Sequence, residues 1–284
     1  MSEKHQPICV KRILVSLDTS THSFSALKAA VELAHHYEAK LKGLFIQDTA
    51  LLRLAETQLF YEIGEYTAIS RKITVDGLTH SMIAQSRRIM RVFQKLVDQT
   101  GVEGEFRVLD GSVDEVIDHE SKKCDLLVIG KTGTNPMKRP RLGSTARALI
   151  HLGKKSILLV EEDANLGYPI FVLFEDSSLS WTSLETAREL MGPGEKLTVL
   201  LEESPIEEFT NMKEKIRDWA KEKKINISFQ SFKAETFGRF IQKIKLAKTG
   251  LFILPYMLSP LYKVLVEKYL KEISLPILLV QQSE

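Results

Sequence analysis

Residues 12–21 read RILVSLDTST, and residues 170–179 read IFVLFEDSSL. Each is a continuous apolar run that ends in an acidic residue and then hydroxyls. Behind the first comes Phe24, Leu27, Ala30, Val31 and Ala34, and behind the second Leu184, Ala187, Leu190 and Met191. Apolar residues three and four apart line one face of a helix. An apolar run that does not alternate with polar residues marks a strand buried on both faces, which is the habit of parallel sheets. The correspondence continues downstream. Leu126-LVIG-Lys131 matches Leu251-FILP-Tyr256, and Ser156-ILLV-Glu161 matches Pro276-ILLV-Gln281. The chain is one unit written twice.

Strands separated by helical patterns are the signature of the βαβ unit. In the first half the pattern predicts strands near 11–17, 41–46, 105–109, 125–129 and 156–160, with helices near 20–37, 82–100, 112–122 and 144–152. The second half repeats the strands near 169–174, 197–201, 226–230, 250–254 and 276–280. The expected fold is α/β: two tandem doubly wound domains with five-stranded parallel sheets, residues 1–162 and 168–284, joined by the polar linker Glu161–Tyr168. Taking Asp18 to correspond to Asp176 gives an offset of 158, against 125 from Gly130 to Pro255 and 120 from Ile157 to Ile277. The first half therefore holds about 33 extra residues, placed at about 48–82. That stretch reads as a helical insertion or flap, with the partner domain as one candidate for what it covers.

The length of 284 residues suits two domains, each large enough for its own core. No apolar run approaches the ~18–20 residues of a membrane-spanning helix. The start, MSEKHQPICVKR, lacks the apolar core of a secretion signal. With Cys9 and Cys124 as the only cysteines, disulfide scaffolds and zinc ribbons are excluded. A cytoplasmic location is expected, with no membrane partner. Residues 1–160 carry 23 Lys and Arg against 18 Asp and Glu, whereas 161–284 carry 16 against 19. This imbalance is too mild for a dedicated nucleic-acid binder, but it directs anion chemistry to the first half.

After its fourth strand the first half reads Gly130-Lys131-Thr132-Gly133, nine residues, then Gly143-Ser144-Thr145. Gly130 and Gly133 permit a left-handed backbone and a close approach to a ligand. Ser144 suits an N-cap for a short helix closed by Gly153. The open N–H groups of a helix start, with its positive dipole end, attract anions. Lys138, Arg139 and Arg141 add positive charge to the loop. The spacing is that of neither a dinucleotide fingerprint nor a Walker loop. A glycine-rich turn followed by an ordinary helix cap would explain the loop by itself, but not the loop, Asp18 and the repeat together.

With these residues the chain resembles the universal stress proteins, in tandem form, over nearly its whole length. ATP-binding members share G-x2-G-x9-G-[ST], which the first half matches at every specified position, and an Asp at the end of strand one, as Asp18 here. The resemblance implies strand order 3-2-1-4-5, which sets Asp18 and Gly130 beside one crevice. It implies that Asp18 and the main chain of Ile46 hold adenine and ribose. Gly130, Thr132, Gly133, Gly143, Ser144 and Thr145 would hold ribose and phosphates, with Ser16 and Ile129 among the binding positions. The implied cofactor is ATP, alone or with Mg²⁺. The implied partners are a protein client and a second copy of the chain, beside an intrachain pseudo-dimer of the two domains. The second half departs from the pattern. Pro255 replaces Gly130, Tyr256-MLSPLYKVLVEKYL contains no glycine, and Pro260 suggests a rebuilt, closed site.

Other clusters carry less. His35 and His36 project about 100° apart on a helix and do not converge on a metal. Asp114, Asp118 and His119, and likewise Arg87, Arg88, Arg91 and Lys95, read as solvated helix faces. Cys124 reads as a small core residue. No catalytic residue is assigned, because the loop Thr132–Leu142 contains neither acid nor His. The leading expectation is a nucleotide-binding regulatory protein with slow or no hydrolysis. The alternatives are a weak ATPase and a dimeric scaffold with a vestigial site.

Overall fold

Ile13, Leu14, Val15 and Leu17 are all buried, because helices cover both faces of the strand they form. In the computed structural model the first half runs β1 (Arg12–Leu17), α1 (Thr21–His36), β2 (Lys40–Asp48), α2 (Thr49–Glu56), β3 (Tyr61–Ile63), β4 (Ser70–Lys72), α3 (Val75–Thr100), β5 (Gly104–Gly111), α4 (Val113–Ser121), β6 (Leu126–Gly130), α5 (Ser144–Leu152) and β7 (Ser156–Val160). The second half continues with β8 (Asn165–Phe174), α6 (Ser178–Leu190), β9 (Lys196–Glu202), α7 (Ile206–Lys223), β10 (Asn226–Phe232), α8 (Phe237–Ile244), β11 (Thr249–Pro255) and β12 (Ile277–Val280). The structure describes residues 5–57, 74–132, 142–152, 155–245, 247–256, 266 and 268–281, and the backbone of 61–63 and 70–72.

Among the described residues ten strands form one sheet in the order β10-β9-β8-β11-β12-β7-β6-β1-β2-β5. Each half has the order 3-2-1-4-5, with all internal neighbours parallel. The halves meet fifth strand to fifth strand. There Ile277 faces Leu159, Leu278 faces Leu158 and Leu279 faces Ile157 in antiparallel register. Because side chains alternate along a strand, Leu158 and Leu278 join the core on one face while Ile157, Leu159, Ile277 and Leu279 join the other. The first core includes side chains of α1, α3, α6 and α7, and the second those of α4, α5 and α8. Both cores run unbroken through the seam. At about 2 kcal/mol for each buried aliphatic side chain, these six residues contribute on the order of 10 kcal/mol before entropy is charged.

The register locates the insertion. Ile13 faces Leu41 as Ile170 faces Leu197, and Leu41 faces Gly104 as Leu197 faces Ile227. The offset between halves therefore drops from 156 at the second strand to 123 at the third, so the excess lies between β2 and β5. It contains α2, the β3–β4 hairpin and the start of α3, which begins at Val75 rather than Met82 because Thr74 caps it through the Gly77 N–H. α2 packs on α3 and β5 of its own half. The side chains of 58–73 lie outside the described residues. The linker is also shorter than expected, since Asn165–Tyr168 already belongs to β8. Asn165 pairs with Thr249 and Ile170 with Leu251, so β8 advances five residues where β11 advances two, and the extra residues of β8 include Gly167 at φ +147°.

Candidate functional site

β1 and β6 are neighbours, and their carboxyl ends open a crevice at the point where the strand order reverses. At the end of β1 the sequence Asp18-Thr19-Ser20 builds a short hydroxyl ladder. Ser20 caps α1 by accepting from the Ser23 N–H, and its own N–H and Oγ donate to Asp18 Oδ1. The Asp18 N–H donates to Ser23 Oγ at 2.9 Å. Capping therefore falls to Ser20, and Asp18 Oδ2 accepts no hydrogen bond from the described residues.

At the end of β6, Gly130 serves tight packing rather than a left-handed turn. Its φ is not positive, but a Cβ there would lie 3.0 Å from His22 Cβ and 3.2 Å from the His22 carbonyl carbon. The expected conformational role is thus replaced by a close approach to α1. The main chain then turns back, with Lys131 N–H donating to Val160 O and Gly143 N–H donating to Lys131 O. Arg147 N–H donates to Gly143 O at 3.0 Å. That bond makes Gly143 the N-cap and Ser144 the first helical residue, one position earlier than the sequence suggested. The N–H groups of Ser144, Thr145 and Ala146 have no acceptor among the described residues. Gly133, Lys138, Arg139, Arg141 and Gly153 lie outside the described residues, as does Pro260 in the second half.

These elements enclose a cavity of about 220 Å³. Ser16, Asp18, Ile46 and Ile129 line it from the strand ends, and Gly130, Thr132, Gly143, Ser144 and Thr145 from the loop and helix start. Nine of the ten expected positions thus share one space. Leu17, Ser20, Ser23, Val113 and Ala146 also line it and were not foreseen. Ser20 and Ser23 were legible as a capping pair three residues apart, whereas Val113 enters only because α4 starts beside β2. The lining offers hydroxyls, backbone N–H groups and apolar faces, with Asp18 as its one ionisable group among the described residues. An anion would be held there by dipoles and hydroxyls.

The second half has the same frame with a different content. Glu175 N–H donates to Ser180 Oγ, and Ser177 caps α6 through the Ser180 N–H. This repeats Asp18, Ser20 and Ser23 at an offset of 157, so Glu175, not Asp176, corresponds to Asp18. Asp176 sits at φ +53° and is taken up by Lys215 Nζ at 2.8 Å and Trp181 Nε1 at 3.1 Å. Pro255 faces Val280 as Gly130 faces Val160, which places a fixed φ and no N–H where the first half has glycine.

Of the remaining clusters, Asp114 and Asp118 are half-buried on α4 and His119 is exposed. His35, His36, Arg87, Arg88, Arg91 and Lys95 lie on the outer faces of their helices, and burial pushes the Cys124 thiol up to about 12. Among the described residues no group of three His, Cys, Asp or Glu side chains could hold a metal, and no helix is long and apolar enough to cross a membrane.

Fold and crevice define a class: a tandem doubly wound α/β protein with a cavity at the switch point of its first half. Residues 10–161 match the universal stress protein family. More than half of the chain lies in that match, and the protein belongs to the universal stress protein family. It is 25% identical over 154 residues to a universal stress protein of Methanocaldococcus jannaschii, a stretch covering 54% of this chain and 82% of that one. It is 24% identical over 151 residues to the universal stress protein YxiE of Bacillus subtilis, covering 52% and 97%. Across both halves the fold is similar to that of a universal stress protein from Archaeoglobus fulgidus, with TM-score 0.66 and 13% identity, covering 95% of this chain and 98% of that one. A protein of unknown function from Pseudomonas aeruginosa gives TM-score 0.59 and 15% identity over 95% and 92% of the two chains.

Proposed function

We propose that the first half binds ATP in the crevice between β1 and β6, and that the protein is a nucleotide-responsive regulator in the stress response. One observation carries this reading: an Asp18 carboxylate oxygen and three helix N–H groups, all without acceptor or donor among the described residues, belong to one cavity lining. Ile46, Val113 and Ile129 offer apolar faces suited to a base. Asp18 Oδ2 suits a ribose hydroxyl or an exocyclic amine, and the α5 start suits phosphates. The donor set fits the nucleotide, and any Mg²⁺ would be carried on the phosphates themselves. Asp18 is already engaged through Oδ1 and belongs to the β1 end of the lining, so hydrolysis is expected to be slow or absent. Nucleotide would then act by shifting a conformational population that a client protein reads. β7 and β12 pair with each other inside the chain, so a homodimer would form on another face.

Isothermal titration with ATP and with tripolyphosphate tests the reading. The expected result is one ATP per chain, weaker binding of tripolyphosphate, and loss of both in Gly143→Pro, which removes the N–H donated to Lys131. Two sites per chain would overturn the silent second half. No binding would leave the scaffold reading.

A further inference from the structure

Lys131 lies between two cavity-lining residues, Gly130 and Thr132, yet its own side chain turns away from the cavity and is 1% exposed. Its Nζ donates to the carbonyl of Ile273 in the second half and lies 3.2 Å from Glu161 Oε2. The other oxygen of Glu161 lies 3.3 Å from Nδ1 of His22, the residue whose Cβ packs against Gly130. Burial pushes the ammonium pKa down while Glu161 opposes that shift. A lysine this buried is held in place by its partners, since losing them would leave the cation unpaired in the interior.

A second stitch runs the other way. Tyr256 comes after Pro255 as Lys131 comes after Gly130, and its N–H donates to Val280 O as that of Lys131 donates to Val160 O. Its hydroxyl donates to the carbonyl of Ile150 on α5, the helix whose first N–H groups open on the cavity. Both arms of the cavity, the loop after β6 and the helix α5, are thus tied to the half that lacks a phosphate loop. Neither tie belongs to the β7–β12 pairing.

We propose that Lys131 and Tyr256 are positioning residues that couple the first half's cavity to the second half, so that nucleotide binding and the packing of the segment around Ile273 control each other. This rests on the ATP reading above and names how that site is regulated. Coupling of this kind is reciprocal: whatever nucleotide does to the segment, loosening the segment does to nucleotide affinity.

The test uses the full chain with hydrogen exchange of the peptide 271–280, with and without saturating ATP, beside titration of ATP. In the wild type ATP should slow exchange of this peptide about fivefold. Lys131→Met should bind ATP about tenfold more weakly and lose that slowing, and Lys131→Arg should restore part of it. Tyr256→Phe removes one hydroxyl and should reduce the slowing at least twofold, which keeps the test alive if Lys131→Met does not fold. A purely structural tie would change thermal stability equally with and without ATP and leave the ATP-dependent slowing intact, which overturns the proposal. Bound ATP with no response at 271–280 in the wild type also overturns it, while leaving the binding function standing. Absence of ATP binding removes both.

Discussion

β6 and β11 occupy the same place in their halves, pair with equivalent neighbours and hand over to the next residue through the same backbone bond. Beyond that bond the two halves part. After β6 the chain has a buried lysine and a helix with three N–H groups that find no acceptor among the described residues, whereas β11 ends in proline and leads to a tyrosine that reaches back to the first half. The ends of β1 and β8 differ in the same sense. Asp18 keeps one oxygen without a donor among the described residues, while Asp176 is drawn off by Lys215 and Trp181. Strand register tolerates such changes because it depends on buried apolar runs, which both halves keep. A binding site does not tolerate them, because it depends on particular donors remaining unsatisfied until a ligand arrives.

The sharpest way to break the contrast is Gly130→Val. Its branched side chain must displace His22 and the start of α1, at a cost of about 2 kcal/mol in stability. ATP affinity should fall at least ~100-fold, a loss of ~2.7 kcal/mol, read by titration and by urea unfolding. Retained affinity would mean that the β1–β6 crevice is not the site.

Next comes acid sensitivity, which among the described residues rests on one nearly buried carboxylate in each half, Glu120 and Glu185. Glu120 accepts from Lys123 at 2.8 Å and from Lys42, and Glu185 accepts from Arg188 and Trp219 at 2.8 Å. Burial alone would raise the Glu120 carboxyl, but the hydrogen bonds of Lys123 and Lys42 outweigh it and hold the value at about 2, below the ordinary 4.5. Because the folded value is the lower one, this stabilisation is full above about pH 4.5 and is lost as pH falls toward 2. Glu120→Gln should therefore cost about 2 kcal/mol at pH 7, with the difference from wild type closing at low pH in unfolding curves. A constant difference across that window would show that the pairing contributes nothing specific.

Substituting the two aspartates sharpens the comparison further. Asp18→Ala should weaken ATP about tenfold, or ~1.4 kcal/mol. Asp176→Ala should leave ATP affinity unchanged and cost under ~1 kcal/mol in stability, since its ion pair is partly exposed. Equal effects of the two on ATP would place nucleotide in both halves. The smallest expected effect is that of Pro255→Gly, which should leave the stoichiometry at one ATP per chain. A glycine by itself does not restore the G-x2-G-x9-G-[ST] spacing, which the second half lacks in its sequence.

The duplication, the ten strands, their order and the nine described cavity positions were readable from residue type, spacing and the family resemblance they carry. Apolar runs report burial on both faces, and a glycine-hydroxyl spacing reports a loop that ends in a helix. Where the reading slipped, a local signal had two solutions. Asp18 could be matched to Asp176 or to Glu175, and only the Ser23 and Ser180 hydrogen bonds chose the latter. Gly130 could serve conformation or packing, and only the position of His22 chose packing. The residues 165–168 looked polar enough for a linker, yet the pairing of Asn165 with Thr249 drew them into β8.

Sequence alone determined that this chain is two doubly wound units, the first of them matched by the universal stress protein family, and that only the first carries the G-x2-G-x9-G-[ST] spacing, because those facts are written in local pattern. The tertiary structure decided how the two units are joined, that the Lys131 side chain reaches the seam rather than the cavity, and that Tyr256 of the second half bonds to α5 of the first. Those outcomes depend on which carbonyl lies within reach of a side chain more than a hundred residues away, and no spacing along the chain encodes that distance.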